Sequence, residues 1–103
     1  MSLTLQVLYP VSEGTTFDYD YYMSKHLEIV GQAFGQHIKS TLVTKGLAGG
    51  PDVPAGYHAI ASIEFADQAA LDAALAGAGP ALEDIPNFTN SEPQMLIGQR
   101  LDA

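Results

Sequence analysis

Leu3, Leu5, Val7 and Tyr9 recur at every second position with Thr4 and Gln6 between them, the period of a strand with one buried face. Pro10, which has no N–H to give to a ladder, ends it. After a loop around Gly14, Asp18 offers a side-chain acceptor for a helix start, and Asp20 places negative charge in the first turn. The spacing then turns helical over 19–34. Met23, Leu27, Val30 and Phe34 form one stripe, Tyr19, Tyr22, His26, Ile29 and Ala33 form a second beside it, and Gly35 stands at the C-cap. A second strand is predicted over 37–45, with Ile38, Ser40, Leu42 and Thr44 alternating against Lys39, Thr41, Val43 and Lys45. The glycine- and proline-rich stretch 46–56 reads as a long loop, and 58–65 as a third strand with Ala59, Ala61, Ile63 and Phe65 on one face. Asp67 is the candidate N-cap of a second helix with the stripe Leu71, Ala74, Leu75 and Ala78, ended by Gly77, Gly79 and Pro80. Residues 81–85 suggest a short turn and 86–93 a polar loop. Met95, Ile97 and Leu101 mark a last strand, interrupted by Gly98.

The order β-α-β-β-α-β is the ferredoxin-like, split-βαβ pattern of an α+β fold: a four-stranded antiparallel sheet with two helices on one face. No repeat, low-complexity tract or linker divides residues 1–103, so one domain is expected. The face without helices also carries apolar positions, namely Leu8, Val43, Ile60 and Leu96. A face open to water shows cleaner alternation than that, so a second copy of the chain is expected to cover it as a homodimer.

Charge and composition narrow the function. Four Lys and Arg stand against twelve Asp and Glu, a formal net charge of −8, which disfavours nucleic acid and anionic membrane surfaces as partners. No apolar run approaches the ~18 residues of a membrane span. The absence of cysteine excludes disulfides, thiolate nucleophiles and zinc–thiolate sites. The first residues lack the basic and apolar regions of a signal peptide, so a cytoplasmic protein is expected.

Of three histidines, His26 is singled out, because it lies mid-helix on an apolar stripe one turn after Tyr22. A partly buried imidazole beside a phenol suits general acid–base chemistry. The competing reading is a core histidine satisfied by Tyr22 or a backbone carbonyl. His37 and His58 flank strand ends and read as solvated or structural. Tyr22 and Val30 occupy the positions four away from His26, so no helical metal-ligand pair forms and no metal is expected. No P-loop, dinucleotide fingerprint or nucleophile elbow occurs, and no cofactor is expected.

Tyr9 and Pro10, then Phe17, Asp18, Asp20, Tyr21, Tyr22 and His26, and later the run Asp84, Ile85, Pro86, Asn87, Phe88, Thr89, Asn90 resemble the EthD family, small bacterial proteins named after a component of ethyl tert-butyl ether degradation. The hairpin Gly46, Leu47, Ala48, Gly49, Gly50 is similar too, and the likeness spans nearly the whole chain. It implies a dimeric α+β barrel, two ferredoxin-like chains packed sheet to sheet. The wider superfamily includes muconolactone-isomerase-like enzymes, cofactor-free monooxygenases, fungal dehydratases or decarboxylases, and haem-handling proteins. The resemblance matches His26 to the family's helix histidine, and Asn87 and Asn90 to its polar loop. Members commonly have proline two residues after that histidine; Glu28 stands there in this chain, so an uninterrupted helix is expected.

The reading that follows is His-dependent acid–base chemistry of isomerase, dehydratase or cofactor-free monooxygenase type on a small hydrophobic or aromatic molecule. His26 is the candidate catalytic residue, and Tyr9, Tyr22, Asn87 and Asn90 are the candidate substrate-binding residues. A non-catalytic binding protein, or an accessory to an oxygenase system, is the alternative. Haem binding is the third.

Overall fold

Alternation of apolar residues with partners of matching register assembles the sheet. In the computed structural model, which describes residues 2–102, β1 (Leu3–Pro10), β2 (Ile38–Lys45), β3 (Tyr57–Phe65) and β4 (Gln94–Gln99) form one antiparallel sheet in the order β2-β3-β1-β4. The β1–β2 crossover comprises α1 (Tyr19–Tyr21), a π turn (Tyr22–His26), α2 (Leu27–Phe34) and a 3₁₀ turn (Gly35–His37). The β3–β4 crossover comprises α3 (Gln68–Ala76), α4 (Gly79–Asp84) and a 3₁₀ turn (Ile85–Asn87). Asp18 caps α1 by accepting from the Tyr21 amide at 3.0 Å, and Asp67 caps α3 by accepting from Ala70 at 2.9 Å. This is the α+β, ferredoxin-like arrangement that the order of elements predicts.

The register carries two apolar rows beneath the helices, Thr41–Ile63–Leu5–Ile97 and Val43–Ala61–Val7–Met95. Leu5, Ile63 and Phe65 form the main core with Phe34, Leu71 and Ala74. A second core gathers Tyr9, Tyr22, Ala59, Ile85 and Phe88 toward the end of β1.

Four local expectations are corrected. Val43 faces the helices rather than the open sheet face. Ile38 does enter the core opposite Phe65, but a bulge at Lys39 sets Ser40 against Glu64. Beyond the bulge, Ser40, Leu42 and Thr44 lie on the open face and Val43 on the inner one. Second, the expected turn at 81–85 is part of a helix, α4, begun by Pro80 in its first turn after the break at Gly77. Third, the expected polar loop over 86–93 is sewn into the molecule: Phe88, Thr89 and Ser91 are buried, with Thr89 Oγ1 donating to the Thr16 carbonyl and Ser91 Oγ to that of Pro10, each at 2.6 Å. Fourth, the helix over 19–34 continues through His26 as expected, but not as an unbroken α-helix. The Leu27 amide donates to the Tyr22 carbonyl, five residues back, and this wider turn breaks the α-helical stripe. Met23 is therefore 60% exposed, while Tyr22 and His26 both turn inward.

On the open face, Leu42 and Leu96 lie at the ends of one row and Ile60 and Leu8 in the centre of the next. At one edge of that face Glu64 is buried, accepting from Ser40 Oγ at 2.9 Å and paired with Arg100 at 3.2 Å. Hydrogen bonds from Ser2 and Ser40, with the Arg100 guanidinium alongside, outweigh burial and hold its carboxyl down at about 2. A carboxyl depressed in the fold stabilises it above the ordinary glutamate value of 4.5 and loses that contribution as pH falls toward 2. The melting temperature, followed by circular dichroism, is expected to fall through that window in the wild type and to fall less in Glu64→Gln.

Candidate active site

Helix α2 makes most of its close backbone approaches to α4 and to its own flanking turns. The space left beneath it is a cavity of about 340 Å³. Its floor is the inner sheet, with Leu5, Val7, Val43 and Ile63; its roof is α2, with Leu27, Val30 and Phe34. Tyr9, Tyr22 and His26 close it, each at most 4% exposed. The exposed lining residues mark the ways in: Gly31, Gly35 and Thr41 on the β2 side, and Leu75, Leu82 and Met95 on the α3, α4 and β4 side. A cavity of about 150 Å³ holds a benzene, so this one suits a molecule of roughly two rings.

Each polar group arrives by a separate device. Tyr9 is the last inward position of β1. The π turn stacks the Tyr22 ring on the His26 imidazole, with centroids 5.3 Å apart and planes 25° apart. The Phe88 ring lies 4.5 Å from His26 and 5.1 Å from Tyr22, fixing both from the other side.

Asp84, the last residue of α4, completes the arrangement, and sequence reasoning did not single it out. Its Oδ2 lies 2.9 Å from His26 Nδ1, with both side chains buried. Its Oδ1 accepts from the Tyr21 hydroxyl at 2.7 Å and from Asn87 Nδ2 at 3.0 Å. Burial pushes the Asp84 carboxyl up, but the hydrogen bonds from Asn87, Tyr21 and His26 outweigh it, and the net shift is downward. An ionised carboxylate has no proton to give, so whenever the ring is neutral Nδ1 carries the hydrogen and Nε2 is the free nitrogen. Among the described residues Nε2 has no partner, and no side-chain nitrogen or oxygen is both enclosed and unpaired. Nε2 therefore keeps accessible surface, on a residue that lines the cavity. A carboxylate that fixes the tautomer of an imidazole, with the opposite nitrogen unpaired, is an arrangement that can serve as a general base.

The structure brings His26, Tyr9 and Tyr22 together on the cavity and places the two asparagines elsewhere. Asn87 stands behind the site as a donor to Asp84. Asn90 ties the 86–93 segment to the loop before α1, accepting from the Thr16 amide at 2.8 Å and donating to the Gly14 carbonyl at 2.9 Å. His58 bonds Thr15 Oγ1 at 2.9 Å through its Nε2. Among the described residues no three His, Asp or Glu side chains are grouped to hold a metal ion, and no helix is long and apolar enough to cross a membrane.

No family model matches this chain, and no curated protein matches it. Solved structures do. An EthD-like protein from Ralstonia eutropha JMP134 is 28% identical, with a TM-score of 0.87 over 99% of this chain and 95% of that one. An ethyl tert-butyl ether degradation (EthD) family protein from Bacillus halodurans C-125 is 17% identical, with a TM-score of 0.65 over 98% of this chain and all of its own. SnoaB, a cofactor-independent oxygenase from Streptomyces nogalater, is 13% identical, with a TM-score of 0.61 over 98% of this chain and 96% of its own; at that identity the likeness is one of fold.

Proposed function

The chain is EthD-like, with the ferredoxin-like fold of the dimeric α+β barrel proteins, and from that premise we propose that it transfers protons on a small apolar or aromatic molecule held between α2 and the sheet. His26 is the catalytic acid–base, Asp84 positions it, and Tyr9 and Tyr22 touch the substrate. The observation that carries this reading is the His26–Asp84 pair: a buried imidazole held through Nδ1, with Nε2 unpaired, on the wall of a mostly apolar cavity. A histidine kept only for packing has a partner for each ring nitrogen, whereas this one is paired at Nδ1 alone. Such a site serves isomerisation, dehydration or cofactor-free oxygenation alike, because each begins with removal of a proton. The resemblance in fold to a cofactor-independent oxygenase is in keeping with that range.

The test is solvent deuterium exchange into 2-tetralone, an enolisable ketone of about the right size, followed by NMR. The wild type is expected to accelerate exchange and His26→Ala to lose that acceleration while still binding naphthalene. Equal exchange rates in the two proteins would leave a binding protein as the reading.

The proposal extends to the assembly. The open sheet face presents Leu8, Leu42, Ile60 and Leu96 on two neighbouring rows, and a second copy of the chain is the cover that the barrel fold provides. Sedimentation at micromolar concentration is expected to give about twice the chain mass of 10.9 kDa. A stable species at the chain mass would refute the dimer.

A further inference from the structure

Two hydroxyls on residues that line the cavity have no partner among the described residues. Tyr9 and Tyr22 are each 2% exposed, and neither phenolic oxygen has a hydrogen-bond partner among the described residues. Neither is sealed in, since no enclosed side-chain oxygen lacks a partner, so the little surface these residues keep includes the hydroxyl. Other hydroxyls near the site are spent: the buried Thr89 and Ser91 on backbone carbonyls, and the half-buried Tyr21 on Asp84. A phenylalanine at either position would keep the ring contacts, which run edge to face at 6.1 Å between Tyr9 and Tyr22 and at 5.6 Å between Tyr9 and Phe88. The hydroxyls therefore point to something outside the chain.

We infer that Tyr9 and Tyr22 form a paired donor site for one oxygen of the substrate, beside the nitrogen that takes its proton, so that the substrate is an enolisable carbonyl compound or a phenol with an apolar body. This inference rests on the acid–base reading and deepens it. When Nε2 removes a proton from the carbon next to a carbonyl, the electron pair of the broken C–H bond moves into the C–C bond and the carbonyl π pair moves onto oxygen. The proton ends on Nε2, and the charge ends on an oxygen that needs donors. Arginine and lysine are missing from the cavity lining, so neutral donors must supply that stabilisation. The two phenols suit the task because they stay protonated: burial raises Tyr22 to about 12, and burial together with the neighbouring Tyr22 raises Tyr9 further. An apolar hydrocarbon has no group for either hydroxyl, and binding it would leave both dry and unpaired.

The experiment compares 2-naphthol with naphthalene, which share a body and differ by one oxygen, by equilibrium binding to the wild-type protein. Naphthol is expected to bind about tenfold tighter. Tyr9→Phe and Tyr22→Phe are each expected to erase most of that preference while leaving naphthalene affinity within about twofold. His26→Ala retains a preference for naphthol. Exchange into 2-tetralone falls in both Phe variants through kcat more than through KM, because the oxygen gains its charge in the transition state. Equal binding of naphthol and naphthalene to the wild type overturns the inference without recourse to any variant. So do Phe variants that exchange 2-tetralone at the wild-type rate, and in that case loss of exchange in His26→Ala would leave the acid–base reading standing. If His26→Ala also exchanges at the wild-type rate, the acid–base reading falls with it.

Discussion

Asp84→Asn is expected to slow proton transfer by a factor on the order of 10² to 10⁴, the range that general acid–base help is worth. The reason is tautomeric. Oδ1 of Asp84 accepts two bonds, from Tyr21 and Asn87, while Oδ2 accepts one from His26. An amide can offer only one acceptor oxygen. Turned to keep the Tyr21 and Asn87 bonds, it presents NH₂ to Nδ1, which moves the ring hydrogen to Nε2 and blocks the base. Turned the other way, it keeps the His26 bond and sets a donor against the donors of Tyr21 and Asn87. The stability cost is smaller, about 1–3 kcal/mol, since Tyr21 and Asn87 have access to water. Exchange into 2-tetralone, measured beside naphthalene binding, checks the prediction. Unchanged exchange would mean that Asp84 serves the fold alone.

Phe88→Ala carries the largest expected effect on stability. The ring is 3% exposed and meets those of Tyr9, Tyr22 and His26 at 5.6, 5.1 and 4.5 Å, with Phe17 at 5.2 Å. Truncating a buried phenylalanine costs about 3–5 kcal/mol, which in a chain of this size lowers the melting temperature by at least about 12 °C. The void opens against the site itself, so the His26 ring loses the surface that fixes its tilt. Exchange should fall even at temperatures where the variant is fully folded. A fall of only a few degrees in a thermal melt would contradict the packing described for this segment.

The burial of Phe88 was hidden in the sequence, and the reason bears on what local pattern can convey. Phe88 lies between prolines and polar residues, in a stretch with no helical or strand period. Its burial depends on hydrogen bonds to Thr16 and Pro10, seventy or more residues away in the chain. Asp84 was obscured in the same way. Its partner His26 is 58 residues away, and the short apolar context of α4 gave no sign of a facing imidazole. The signal that could have found it was the run from Asp84 to Asn90 quoted for the family likeness, in which the aspartate precedes the polar loop. The π turn had no local mark either, because its residues suit an α-helix equally well; what distinguishes it is the tertiary pull of two aromatic side chains toward the cavity. The strands and caps were legible by contrast, since period two and an aspartate before a helix are local properties. The phase of β2 was not. Its alternation is regular, and only the pairing of Ser40 with Glu64 beyond a bulge at Lys39 decides which half faces the helices.

The central claim is that His26 takes a proton through Nε2. Chemical rescue tests it most directly. His26→Ala leaves an imidazole-sized space against both Phe88 and Tyr22, beside a carboxylate that still accepts. Added imidazole is expected to fill that space and restore exchange into 2-tetralone, with a rate that saturates as imidazole concentration rises. The double variant His26→Ala with Asp84→Ala, which lacks the anchoring carboxylate, should show no saturation. If imidazole accelerates exchange in the presence of His26→Ala no more than it does in buffer alone, proton transfer does not pass through this position, and the account is wrong.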